Sequence, residues 1–113
     1  MVDCLFCKIA NKDIESKIVY ETENVVVFKD VNPKAPVHLL AIPKFHISSI
    51  MEINKLDKNL IKELMEAIAK VAKDYGLEKG FRVVTNTGRD AGQSVEHLHF
   101  HILGKRKFNW PPG

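Results

Sequence analysis

Residues 56–75 repeat apolar side chains at three- and four-residue intervals: Leu56, Leu60, Leu64, Ile68, Val71 and Tyr75, with Ile61, Met65 and Ala72 widening the stripe. That period belongs to a helix with one buried face. Asp57 or Asn54 is placed to cap its start, Gly76 follows its end, and Glu66 precedes Lys70 by four residues on the polar side. A lone amphipathic helix needs a surface to cover, and the rest of the chain supplies short strands. Residues 18–21, 25–28, 37–42, 81–85 and 95–103 are rich in β-branched, aromatic or alternating apolar side chains. Turn and loop residues separate them: 22–24, the proline-bearing 30–36, and the glycine-bearing 86–94. Residues 4–12 read as a short helix with Leu5, Phe6 and Ile9 on one side, and 108–113 as an irregular end. Short links between consecutive strands favour antiparallel pairing. The expected fold is α+β: an antiparallel sheet of about five strands, one long helix across a face, and a short N-terminal helix.

At 113 residues the chain fits one domain, taken as 1–113. Its 45% apolar and 27% charged residues exclude a disordered chain. The longest uncharged run, 35–43, holds His38 and two prolines, so no membrane span is expected. The N-terminus has an acid at position 3 and lacks the basic-then-apolar order of a secretory leader, so a cytoplasmic protein is expected. The net charge of +3 is spread among mixed Lys, Glu and Asp. The one dense basic run, Lys105-Arg106-Lys107, is a solvated surface and not a nucleic-acid footprint, which would gather charge on one face. Both cysteines sit in Cys4-x-x-Cys7, where metal binding, redox chemistry and plain packing are all open.

The run His97-Leu98-His99-Phe100-His101-Ile102 carries the chemistry. Side chains alternate along a strand, so the three histidines point one way and the three apolar residues enter the core. Same-face neighbours lie about 6.6 Å apart. A neutral imidazole has one donor and one acceptor nitrogen, so such a row fixes tautomers in series. Two readings follow. His99 is a nucleophile oriented by its neighbours, or two of the three chelate a metal. A row without a role is disfavoured, because three of the five histidines fall at strict period two. Gly88 and Gly92 in the preceding loop permit backbone turns closed to other residues, and free N–H groups there form an anion-binding concavity. Gln93 and Ser94 add neutral donors.

The run from Gln93 to Leu103 resembles the alternating His/apolar signature of the histidine triad (HIT) family of nucleotide-binding proteins. The closing Trp110-Pro111-Pro112-Gly113 is similar to its nucleoside phosphoramidase branch. Upstream, Phe28-Lys29-Asp30-Val31-Asn32-Pro33 and the segment from Pro36 to Lys44 also fit. The resemblance implies a homodimer whose two sheets join into one. It implies attack by His99 on the α-phosphorus of a purine nucleoside 5′-phosphoramidate or a related nucleoside monophosphate conjugate, a covalent nucleotidyl-histidine, and release by water. No catalytic metal is required. His101 matches the position that contacts the phosphate and leaving-group side. Ser94 matches the one that bonds the leaving group, and His38 the histidine that supports the triad from a neighbouring strand. Backbone N–H groups around Gly92, Gln93 and Ser94 match a phosphate cradle. Asp30 matches the ribose carboxylate, and Asn86 the position beside sugar and phosphate. Leu5, Phe6, Ile9, Ile14, Phe28 and Val31 match the apolar purine cleft.

Some bacterial and archaeal members pair such a CxxC with two histidines in a structural zinc site, and the resemblance gives that role here to Cys4, Cys7, His46 and His97. If His97 binds zinc through one nitrogen, its other nitrogen can still donate to a neighbour in support. Four positions depart from the family: Lys29, Glu96, Lys105 and Asn109. The rival functions are a dinucleoside polyphosphate hydrolase and a non-catalytic nucleotide-binding or scaffold protein.

Overall fold

The computed structural model describes residues 4–113. Positions 1–3, with the acid used in the leader argument, lie outside the described residues. In chain order come helix α1 (Leu5–Ala10), strands β1 (Ile18–Glu21), β2 (Val25–Lys29) and β3 (Val37–Pro43), a 3-10 stretch (Ile50–Lys55), helix α2 (Lys58–Asp74), strand β4 (Phe81–Val84), a 3-10 turn (Arg89–Ala91) and strand β5 (Phe100–Gly104). The strands make one antiparallel sheet in the order β1-β2-β3-β5-β4. The α+β expectation holds. The 3-10 stretch after β3 carries no periodic signal and was not expected.

Both faces of the central strands are covered, which is why β2 reads Val25-Val26-Val27-Phe28 with every residue buried. Alternation sends Val25, Val27, Leu39, Ala41, Phe100 and Ile102 toward Leu64, Ala67, Ile68 and Val71 of α2. Val26, Phe28, Leu40 and Ile42 point the other way, toward Cys4, Phe6, Ile9 and Ala10. Apolar burial on the α2 face supplies most of the packing energy. The α1 face is where the polar groups gather. Among the described residues no helix is long and apolar enough to cross a membrane.

The long helix starts two residues later than its apolar stripe. Asp57 is the cap, its carboxylate accepting from the Asn59 amide at 2.9 Å, and Leu56 ends the preceding 3-10 stretch with extended backbone. The stop follows from Gly76, whose φ of 68° lets the Leu77 amide reach the Ala72 carbonyl at 2.9 Å and its own amide reach that of Lys73 at 3.0 Å. Leu77 is thereby folded under β5, where a Cβ on Gly104 would lie 2.6 Å from its Cδ2. Lys70 pairs with Asp74 at 3.0 Å, not with the expected Glu66.

The last strand is shorter than its sequence pattern. It begins at Phe100, not at residue 95, and runs one residue further, to Gly104. Residues 93–98 are bonded instead to the segment after β3. The Leu98 amide donates to the Ile47 carbonyl at 2.8 Å, the His97 ring bonds the Pro43 carbonyl at 2.8 Å, and the Gln93 amide group donates to the Ser48 carbonyl at 2.6 Å. Pro43 ends β3 but is met by a ring and not by a backbone amide, and Ile47 and Ser48 lie in the loop beyond, so no ladder forms. The alternation survives nonetheless: Leu98 packs on the α2 side, while His97 and His99 face Phe6 of α1.

Candidate active site and metal centre

Register brings the second group of histidines together. Leu40 of β3 lies opposite His101 of β5, so His38, two residues back on the same face, is diagonal to His101. His38 Nε2 and His101 Nδ1 are 2.9 Å apart, and the ring centroids 5.2 Å. The Lys34 amide donates to His38 Nδ1 at 2.9 Å. Asp30 sits beside the pair, its Oδ2 at 3.3 Å from His38 Nε2 and 4.0 Å from His101 Nδ1, while its Oδ1 accepts from the Asn32 amide at 2.8 Å. Burial holds His38 below the ordinary histidine range, with the Asp30 carboxylate opposing and Lys34 assisting. Burial likewise lowers His101 to about 4, helped by His99 and His38 and opposed by Asp30. Both rings are neutral at pH 7.

His99 is buried, and its neighbours determine which nitrogen is exposed to chemistry. Its Nδ1 lies 2.7 Å from the His97 carbonyl, which can only accept. In the neutral ring the proton therefore sits on Nδ1, and Nε2 carries a bare lone pair. Phe6 meets the ring edge-on at 5.1 Å, and His101 stands 5.1 Å away on the other side.

These side chains border a cavity of about 400 Å³. Leu5, Phe6 and Ile9 of α1, Ile14 beyond it, Phe28, Asp30 and Val31 at the end of β2, and Ser94, His99 and His101 all line it, as expected. Glu15, Ser16, Lys29, Leu40 and Val95 line it too. Two of these were readable by parity: Leu40 shares a face with His38, and Val95 with His97. His38 and His97 stand behind the wall, in contact with residues that form it. A larger groove of about 600 Å³ lies along β4 and the C-terminal segment, lined by Lys79, Lys105, Arg106 and Lys107 with Phe81 and Phe108, and has no histidine in it.

Three expected ligand residues are not in the cavity wall. Asn86 is half-buried just past β4 and does not line it. The amides of Gly92 and Gln93 are not free to cradle phosphate, because they donate to the carbonyls of Arg89 and Gly88 at 3.0 and 3.1 Å. Of the three residues expected to form the cradle, Ser94 lines the cavity. Gln93 acts inward instead: its amide nitrogen donates to the Ser48 and Val95 carbonyls at 2.6 and 3.0 Å, and its Oε1 accepts from the Gly88 amide at 2.9 Å. Gln93→Glu will thus cost more stability than Gln93→Ala at pH 7. A carboxylate would face two carbonyl oxygens, whereas alanine only empties the position. A loss of about 2–3 kcal/mol is expected for the former and about 1–2 for the latter in urea unfolding. The reverse order would contradict these Gln93 hydrogen bonds.

A second polar cluster adjoins the first. Cys4 at the N-cap of α1, Cys7 one turn on, His46 after β3, and His97 place four potential ligand atoms within 4.8 Å of one another. His97 Nδ1 lies 3.3 Å from Cys4 Sγ, 3.5 Å from Cys7 Sγ and 3.1 Å from His46 Nδ1, and Cys7 Sγ lies 3.3 Å from His46 Nδ1. The Pro43 carbonyl claims the His97 proton on Nε2, so Nδ1 offers a lone pair to the cluster. One lone pair satisfies one donor, yet three heteroatoms crowd it. A tetrahedral cation with ~2.0 Å nitrogen and ~2.3 Å sulfur bonds needs ligand atoms ~3.3–3.8 Å apart, close to the spacing found. Burial pushes the Cys7 thiol up to about 11, with Cys4 adding to the rise. Burial lowers His97 to about 4, the Pro43 carbonyl opposing and His46 and His99 assisting. The donors fit a borderline-soft divalent cation, whose charge offsets the cost of burying thiolates.

The family model described as the scavenger mRNA decapping enzyme C-terminal binding region matches residues 3–110. An uncharacterised HIT-like protein of Synechocystis is 46% identical over 98% of this chain and 97% of its own. A 14 kDa zinc-binding protein of Brassica juncea is 41% identical over 98% of this chain and all of its own length. The crystal structure of a HIT family hydrolase from Legionella pneumophila superposes with a TM-score of 0.94 at 45% identity, covering 98% of this chain and 100% of that one. A histidine row at period two, a matching fold and near-complete coverage agree: the chain belongs to the histidine triad family.

Proposed function

We propose that the protein is a hydrolase of purine nucleoside 5′-phosphoramidates, or of related nucleoside monophosphate conjugates, working through a covalent nucleotidyl-His99. One observation carries the reading: the His97 carbonyl takes the His99 Nδ1 proton at 2.7 Å, leaving Nε2 unprotonated beside a cavity of nucleoside size. The hydrolase name of the Legionella relative supports it. In the first step His99 Nε2 forms a bond to the α-phosphorus while the bond from phosphorus to the leaving nitrogen breaks, and the departing amine takes a proton from solvent. Ser94 and His101 donate toward the phosphoryl oxygens and the leaving atom, where charge develops. Water then attacks phosphorus and gives up a proton to solvent, the bond to His99 Nε2 breaks, and the nucleoside monophosphate leaves. Apolar side chains of α1, with Ile14 and Val31, suit a purine face, and the Asp30 carboxylate suits ribose hydroxyls.

The same reading gives Zn²⁺ to Cys4, Cys7, His46 and His97, as a structural ion with four protein ligands and no open position. The printed name of the Brassica relative supports zinc. It makes the protein a homodimer whose sheets join. The β4 edge suits that role, since Phe81 and Val83 stand 40% and 41% exposed there. A reducing cytoplasm suits the free thiols of Cys4 and Cys7.

Turnover of adenosine 5′-phosphoramidate and of diadenosine polyphosphates, compared on one preparation, tests the substrate class. Faster kcat/KM on the phosphoramidate is the expected result. Preference for the dinucleotides would make the protein a polyphosphate hydrolase, and turnover of neither would leave a binding protein.

A further inference from the structure

We propose that the main-chain amide of Lys34 is a positioning group for this chemistry: acting through His38, it fixes the proton of His101 on Nε2, the ring nitrogen left to face the cavity. The inference rests on the triad hydrolase reading above for its catalytic meaning, but its geometry does not depend on that reading.

An imidazole nitrogen that accepts from an N–H carries no proton of its own. A peptide amide only donates, and that of Lys34 lies 2.9 Å from His38 Nδ1. Neutral His38 therefore holds its proton on Nε2. That N–H has two acceptors within reach, His101 Nδ1 at 2.9 Å and Asp30 Oδ2 at 3.3 Å. Whichever it favours, a proton on His101 Nδ1 would meet it head-on. His101 Nδ1 is bare, and its proton sits on Nε2. Asp30 does not disturb the order, because an ionised carboxylate only accepts and its other oxygen is held by the Asn32 amide.

The two rings facing the cavity thus have opposite polarity. His99 is anchored through Nδ1–H to a carbonyl and presents a lone pair, which phosphorus needs. His101 is anchored through bare Nδ1 and presents an N–H, which a phosphoryl oxygen or a leaving atom needs. Their centroids are 5.1 Å apart. The device is stiff. Lys34 follows Pro33, and its own carbonyl accepts from Arg106 Nε at 3.1 Å. The lock also bears on Asp30, His38 and His101 as a group, since their ligand atoms lie within 4.8 Å of one another. Ligation through His38 Nε2 would drive its proton to Nδ1, against the Lys34 N–H, so the grouping is set against holding a cation.

Two measurements test the lock. Long-range proton–nitrogen NMR of the metal-loaded protein at pH 7, without substrate, reads the ring tautomers directly. Protonated Nε2 on both His38 and His101, and protonated Nδ1 on His99, is expected. A proton on His101 Nδ1 overturns the proposal even if the protein is an active hydrolase, and the expected pattern stands even if phosphoramidates are not its substrates. The second is a cycle. Lys34→Pro deletes the amide proton. In the native background kcat/KM should fall about tenfold, mainly in kcat, the bias one hydrogen bond sets between two tautomers. In a His38→Gln background the side-chain amide donates to His101 whatever Lys34 does, so Lys34→Pro should change kcat/KM less than about twofold there. An equal loss in both backgrounds means simple distortion of the loop and overturns the proposal, as does no loss in either.

Discussion

His99→Ala should abolish turnover and leave purine nucleotide affinity within a few-fold of the native protein. The two outcomes separate because the residue does one thing. Its Nδ1 is spent on the His97 carbonyl, so the ring's only reactive atom is Nε2. The cavity keeps the apolar side chains of α1, together with Phe28 and Val31; Phe6 loses its edge-on contact with His99 but retains the one with Phe28. Removing a nucleophile that forms a covalent intermediate costs on the order of 10³-fold or more in kcat, about 4 kcal/mol of barrier. Calorimetry with adenosine monophosphate reads the binding, and intact-mass spectrometry of an acid-quenched reaction reads the adduct. Turnover by the variant at near-native rate, or an adduct that persists in it, would move the nucleophile elsewhere.

If the Cys4–Cys7–His46–His97 cluster holds the proposed metal, stripping it should produce the second large effect, and one that reaches the other site. Helix α1 has six residues, too few to stand alone, and two of the four ligands sit at its N-cap and first turn. The same turn and a half supplies Leu5, Phe6 and Ile9 to the cavity. Chelation should therefore lower the melting temperature by about 10–20 °C, the shift given by about 4 kcal/mol of metal linkage in a chain of this size. Hydrogen exchange should rise in α1 and stay slow in α2, and nucleotide affinity should fall. Elemental analysis of the untreated protein should find about one zinc per chain. An unchanged melting temperature and unchanged α1 protection would remove the structural ion. Acid should add to the loss in the stripped protein. His97 and His101 are both held near 4, below the ordinary 6.5. The unfolded chain then binds protons first as the pH falls, so the stability these rings contribute is complete above about 6.5 and drains away down to about 4.

Much of this was legible in the sequence because it is local. Period 3.6 marks α2, and period two marks the histidine row, each set by neighbours within a few residues. The apolar cleft followed from the family resemblance, and every residue it gave to that cleft lines the cavity. What the sequence hid is tertiary. Residues 95–99 have the pattern of a strand, but His97 and Leu98 are bonded to the carbonyls of Pro43 and Ile47, partners some fifty positions away. The amides of Gly92 and Gln93 look free in a glycine loop, but the turn they build uses them up. Lys34 was invisible for the opposite reason: its part is played by a peptide group every residue owns, and only the path of the chain aims it at His38.

The bond from His99 to the carbonyl of residue 97 has an evolutionary corollary. Substitution at position 97 can erase an imidazole, and with it a cation site, in a single codon change. No codon change erases a carbonyl. If the cluster holds a metal and His99 is the attacking ring, lineages are free to trade that metal for other packing while the orientation of the ring is inherited through the backbone, so loss of the cysteine pair in a descendant need not carry loss of its chemistry.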